Sequence, residues 1–257
     1  MGKLFIAPPY FKDKIPFQTK SRIKQTYSMP DIAKTEAQSP KSKAPRSILP
    51  GIFAFAPNRD TLGATAYFVI GKAHNILVDC PLWQDDYRDF ILSQGGVKQL
   101  IITHRGSIGK QVKQIQEDLN CEVIIQEQEA YLLPEVKVTS FSDNFSISDE
   151  FDLIWTPGHS PGSSCVYWKQ QGGVLFTGRH LLAKSVTEIA PIYTAKTFHW
   201  WRQLKSITKI RDRFDSATLK YIIPGANTGY LRGQGYVDDA YSKLQALDLN
   251  KLKKINF

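Results

Sequence analysis

The sequence predicts an α/β domain behind a basic, proline-rich tail, and three observations carry that prediction. Strand-like and helix-like stretches alternate between residues 64 and 125. Strand-like stretches then cluster through residue 177. Composition changes sharply near residue 50, which divides the chain into an extension of residues 1–50 and a domain of residues 51–257.

The tail carries ten lysines and arginines against three acids, and seven of the chain's 14 prolines. Its apolar residues are isolated, so it buries too little surface to offset its ordering entropy and is expected to be disordered when alone. Phe5, Tyr10, Phe11, Phe17 and Tyr27 read as anchors for docking on a protein partner. Most of the formal net charge of +9 belongs to this tail, which leaves the domain nearly neutral. Bulk charge alone therefore does not argue that the domain grips nucleic acid, which stays possible but unsupported.

Within the domain, 64–70 and 75–79 read as strands around a Gly-Lys-Ala-His turn. Trp83, Tyr87, Phe90 and Ile91 have helical spacing over 83–93, as do Ile108, Val112, Ile115 and Leu119 over 108–119. Short apolar strands are expected at 99–103, 122–125, 136–141, 151–155, 164–168 and 174–177. A helix over 197–214 follows, with Phe198, Trp201, Leu204, Ile207 and Phe214 expected inward and Trp200 outward among basic residues. A strand at 221–223 and a helix over 237–247 close the chain.

No stretch of about 18 apolar residues is present, so no membrane span is expected. The apolar start Met1–Ala7 is too short for a secretory signal. Cys80, Cys121 and Cys165 are scattered and odd in number, which points away from a disulfide framework and toward the cytoplasm or another reducing compartment.

Three stretches carry a resemblance. One strand ends in Asp79 after Asn75-Ile76-Leu77-Val78, and another ends Ile101-Ile102-Thr103-His104. The third is Thr156-Pro157-Gly158-His159-Ser160-Pro161-Gly162-Ser163, followed by a strand and Thr177-Gly178. In order and spacing these resemble metallo-β-lactamase superfamily hydrolases over residues 50–235. The resemblance implies an αββα sandwich whose strand-end loops hold one or two zinc ions, each able to generate hydroxide near neutral pH.

The departures from the family pattern are specific. Where the family has HxHxDH, residues 104–109 read His-Arg-Gly-Ser-Ile-Gly. The bridging aspartate of a Thr-Gly-Asp motif is Arg179, and the histidine of a Pro-Gly-His turn is Ala226. Only His104 and His159 remain as vestigial ligand positions, whereas a catalytic zinc needs three protein ligands. A guanidinium in the bridging seat reverses the local field: at about 4 Å and an effective dielectric near 20, two unit charges repel by about 4 kcal/mol. The expected cofactor is therefore none. The alternative is one weakly bound zinc, with His180 or Cys165 rebuilding the ligand set, although an extended segment would turn His180 away from the site.

Two readings of the altered pocket stay open. Arg179 pairs with Asp79 in a structural salt bridge, or Asp79, His104, Arg105, His159, Arg179 and Asn227, with Thr228, form a pocket for a small anion, since guanidinium forks suit carboxylate and phosphate. The leading expectation for function is a pseudoenzyme that works by binding, with residues 1–50 engaging a protein partner. The motifs also resemble a branch found in cyanobacteria and plastids, which implies a place in a photosynthetic assembly and a stromal location. Two alternatives remain: a hydrolase with an atypical or mononuclear metal site, and an RNA-binding protein whose tail adds salt-sensitive phosphate contacts.

Overall fold

The computed structural model describes residues 44–254. The tail's aromatic anchors and its proposed docking lie outside these residues. Seven strands form the first sheet in chain order: β1 (Arg46–Leu49), β2 (Ile52–Ala54), β3 (Tyr67–Val69), β4 (Ile76–Val78), β5 (Gln99–Ile102), β6 (Glu122–Gln126) and β7 (Val138–Phe141). Pairing is antiparallel up to β4 and parallel from β4 onward. Parallel neighbours need crossovers, and α1 (Asp85–Ser93) and α2 (Val112–Leu119) supply the first two. The four-residue α3 (Glu127–Ala130) lies between β6 and β7.

The second sheet contains β8 (Asn144–Ser146), β9 (Phe151–Trp155), β10 (Ser164–Trp168), β11 (Val174–Gly178) and β14 (Tyr221–Pro224), in the order β14-β11-β10-β9-β8. Between β11 and β14 the chain forms a small hairpin, β12 (Leu182–Ala183) with β13 (Ile189–Ala190), and then α4 (Trp200–Arg213). Two short helices end it, α5 (Ala240–Gln245) and α6 (Leu249–Lys253).

Three buried layers hold these elements together, and the two-residue period of the strands distributes side chains among them. Tyr67, Val69, Ile76 and Val78 face Leu153, Val166, Phe176 and Ile223 between the sheets. Their neighbours Phe68 and Leu77 point the other way and pack under Tyr87, Ile91, Val112 and Ile115. On the far side, Ile154, Cys165, Leu175 and Ile222 lie against Leu204, Ile207 and Ile210 of α4. This is the expected αββα arrangement, and each fully buried aliphatic or aromatic side chain contributes about 1.5–3 kcal/mol to it.

Three expectations are corrected. Strand pairing begins at Arg46, inside the stretch assigned to the tail, because β1 completes the edge beside β2. Leu204, Ile207 and Phe214 face inward as expected, but at the start of α4 the assignment reverses: Trp200 is buried, while Trp201 and Phe198 are half exposed. The helix starts at Trp200, so the buried stripe runs through Trp200, Gln203, Leu204, Ile207 and Ile210. Trp200 also donates its indole N–H to Leu252 O at 3.1 Å, which anchors α6. The last expected helix is shortened to 240–245, since Val237 pairs with Ile222 as an isolated bridge before α5 begins.

Candidate functional site

The ends of β4, β5 and β11 meet because glycine lets them. Gly178 closes β11 with φ +51°, and a Cβ there would lie 2.5 Å from Thr103 Oγ1. Only glycine, which has no Cβ, accommodates that left-handed backbone together with so close an approach. Gly225, after β14, donates its N–H to Gly178 O at 2.7 Å and draws the fourth strand end into the same corner.

Asp79 follows β4 in the left-handed region at φ +63°. Its carboxylate accepts from Thr103 N at 2.8 Å, Thr103 Oγ1 at 2.9 Å and Ser107 Oγ at 2.7 Å. Burial pushes its carboxyl up to about 6; the three hydrogen bonds and the nearby Arg179 charge hold back a larger rise. Because Thr103 Oγ1 spends its hydrogen on Asp79, it accepts from His104 Nδ1, 3.0 Å away. His104 is therefore the Nδ1–H tautomer, and its buried Nε2 presents a lone pair without a partner among the described residues. The His104 and His159 ring centroids are 5.2 Å apart, edge to face. Burial, followed by the fields of Arg179, Arg105 and Lys196, holds His159 down to about 4, so both imidazoles are neutral at ordinary pH.

Arg179 does not pair with Asp79, which corrects the expected salt bridge. It donates through Nη2 to Leu62 O at 2.8 Å, and Thr61 O lies at 3.4 Å. The reason is local. Asp79 is already satisfied by residues at the end of β5, and the left-handed turn at Leu62 (φ 57°) aims carbonyls at the guanidinium. Arg179 Nε is buried with no partner among the described residues. Arg105 donates its Nε–H to the fully buried Glu129 at 2.9 Å.

Arg105, His159 and Arg179 line one cavity of about 680 Å³, together with Lys196, Leu62, Leu182 and Ile192. Asn227 and Thr228, expected in this pocket, are elsewhere. Asn227 is exposed in a left-handed turn, and Thr228 faces Thr65 at 3.1 Å beside a different cavity. Lys196, Leu62 and Glu129 escaped the sequence reading. Lys196 sits in a loop with no motif, and Glu129 is on a helix too short to show periodicity.

The donor set does not fit the metal pair of the resembled family. Among the described residues no three His, Cys, Asp or Glu side chains converge as ligands. Where the family has histidine, Gly109 packs so closely that a Cβ would lie 2.9 Å from Cys80 Cβ, and one at Gly106 would lie 3.0 Å from His104 Nε2. Neither proposed replacement ligand reaches the site. Cys165 is in the core beneath α4, where burial pushes its thiol up to about 12. His180 is buried, with both ring nitrogens unpartnered among the described residues, and does not line the cavity; burial holds it down to about 3. The basic face of α4 is partly committed within the molecule, through Lys209 to Asp143 and Arg213 to Asp152.

No protein-family model and no curated protein matches the chain. Solved structures do. A metallo-β-lactamase family protein from Thermus thermophilus is similar at 19% identity, over 80% of this chain and 81% of its own, with a TM-score of 0.55. The DIM-1 metallo-β-lactamase is similar at 17% identity over 82% and 99%, with a TM-score of 0.62. TTHA1623, solved in a di-iron-bound form, is similar at 15% identity over 74% and 96%, with a TM-score of 0.58. The chain thus has the metallo-β-lactamase fold. No helix of the described residues is long and apolar enough to cross a membrane.

Proposed function

We propose that this chain is a non-catalytic member of the metallo-β-lactamase fold that works by binding. Its cavity holds an anion on Arg179, Arg105 and Lys196, and its tail engages a protein partner. One observation carries the reading: the guanidinium of Arg179 lines the cavity and, among the described residues, has no carboxylate partner, its Nη2 donating to main-chain carbonyls instead. A buried charge-assisted donor of this kind gains about 1.5–3 kcal/mol from an anionic acceptor. The tail's role rests on its composition alone, with aromatic anchors spaced among lysines and prolines.

A second reading has one observation in its favour. His104 Nε2 offers a lone pair, and the His104 and His159 ring centroids are 5.2 Å apart, so a single metal ion would find two imidazoles there. It would lack a third protein ligand and would face a cation.

Thermal unfolding of the full chain in inorganic phosphate, at constant ionic strength, tests the anion reading. Phosphate is expected to raise the midpoint for the parent protein and to leave Arg179→Met unchanged. Equal shifts in both proteins, or none in the parent, refute it. Pull-down with and without residues 1–43 tests the tail, and a partner retained equally by both forms overturns that half.

A further inference from the structure

The cavity over Arg179 has a mixed lining. Arg179, Arg105, Lys196 and the neutral His159 supply donors. Leu62, Leu182, Ile192 and Ala195 supply apolar walls. Among the described residues no carboxylate lines it; Glu129, which pairs with Arg105, is fully buried. Its volume of about 680 Å³ is in the range of pockets that enclose whole small molecules, far more than a phosphate ion needs. Two large apolar side chains nearby are exposed. Leu62 is 55% exposed, and Phe198, 51% exposed, is tied to the site by its N–H donating to His159 O at 3.0 Å.

Resting on the anion reading above, we infer that the ligand is an amphiphilic anion. A phosphate or carboxylate head sits on Arg179, Arg105 and Lys196, and an apolar tail lies along Leu62, Leu182 and Ile192. A bare anion would leave the apolar walls wet. A neutral hydrophobe would leave Arg179 and Lys196 without a counter-charge, Arg105 alone being paired, with Glu129. Only a molecule with both parts uses the whole cavity.

Calorimetric titration of the full chain with inorganic phosphate, butyl phosphate, octyl phosphate and octyl glucoside, all below their micellar concentrations, tests the inference. Each methylene buried against the apolar walls is expected to tighten binding about fourfold, the fold-change equivalent to about 0.8 kcal/mol. Octyl phosphate should therefore bind at least tenfold more tightly than butyl phosphate. Ile192→Ser should shrink that ratio. Arg179→Met should lose the phosphates, and Arg179→Lys should recover part of the affinity, which separates loss of charge from loss of fold. Equal affinity for inorganic, butyl and octyl phosphate overturns the amphiphile and leaves the anion reading standing. No binding of any phosphate overturns both. Octyl glucoside binding as tightly as octyl phosphate overturns the role of the head. Sedimentation with phosphatidic acid vesicles, without binding of octyl phosphate, also overturns the inference, because the exposed Leu62 and Phe198 alone would then account for the contact.

Discussion

Replacing Asp79 with Asn separates two electrostatic accounts of this corner, because they predict opposite signs. The Asp79 carboxyl is fully buried, and its folded value of about 6 lies above the ordinary 3.8. A carboxyl raised on folding contributes stability below its unfolded value, and that stability is lost as pH rises through the folded one. A shift of about 2 pH units corresponds to about 3 kcal/mol, of which about 2 kcal/mol falls between pH 4.5 and 7.5. Asparagine does not titrate. Its amide also asks Thr103 Oγ1 to accept, so Thr103 turns its hydrogen toward His104 and moves the imidazole proton to Nε2. The assay is urea unfolding of the parent and Asp79→Asn at both pH values. The variant is expected to gain about 2 kcal/mol relative to the parent on going from pH 4.5 to 7.5. Whatever constant cost the altered hydrogen bonds impose cancels in that difference. A change of opposite sign would mean a carboxylate stabilised by an ion pair, and the assignment of Arg179 to the Leu62 carbonyl would then be wrong.

Other expectations are simpler. Trp200→Ala removes a buried anchor of α6 and should cost about 3–5 kcal/mol in denaturant unfolding, while Trp201→Ala should stay within about 0.5 kcal/mol. Equal costs would mean that the face of α4 is misassigned. Gly178→Ala places a Cβ against Thr103 at a left-handed position and should lower the melting temperature clearly; a neutral result would show that the strand ends have room to part. His180, held down to about 3, is neutral in the folded chain and titrates near 6.5 when unfolded. Its contribution is present above pH 6.5 and is lost as pH falls toward 3. His180→Phe should therefore unfold at lower pH than the parent, and an unchanged acid midpoint would refute this.

The sequence exposed the fold where apolar runs are continuous. Residues 151–155 and 164–168 are strands at the expected bounds, since both are buried throughout or nearly so. The two-residue strands β12 and β13 left no period to read, and β1 was masked by neighbouring prolines and bases. In the site, His104, Arg105, His159 and Arg179 were legible because motif positions locate strand ends. The partner of Arg179 was not legible, because it depends on a carbonyl turned outward by a left-handed Leu62 more than a hundred residues earlier. Trp200 and Trp201 show the same limit at smaller scale. Adjacent identical side chains differ by one step around the helix, and only the true helix start decides which is buried.

The central claim is that a cation of the chain's own stands in the corner where the resembled family holds its metals. Its most direct test is the zinc, iron and manganese content of the full chain, purified without chelator, incubated with zinc and then desalted. The account predicts well below one equivalent of any of these metals per chain. One or two tightly retained equivalents, lost when His104 and His159 are replaced, would contradict it.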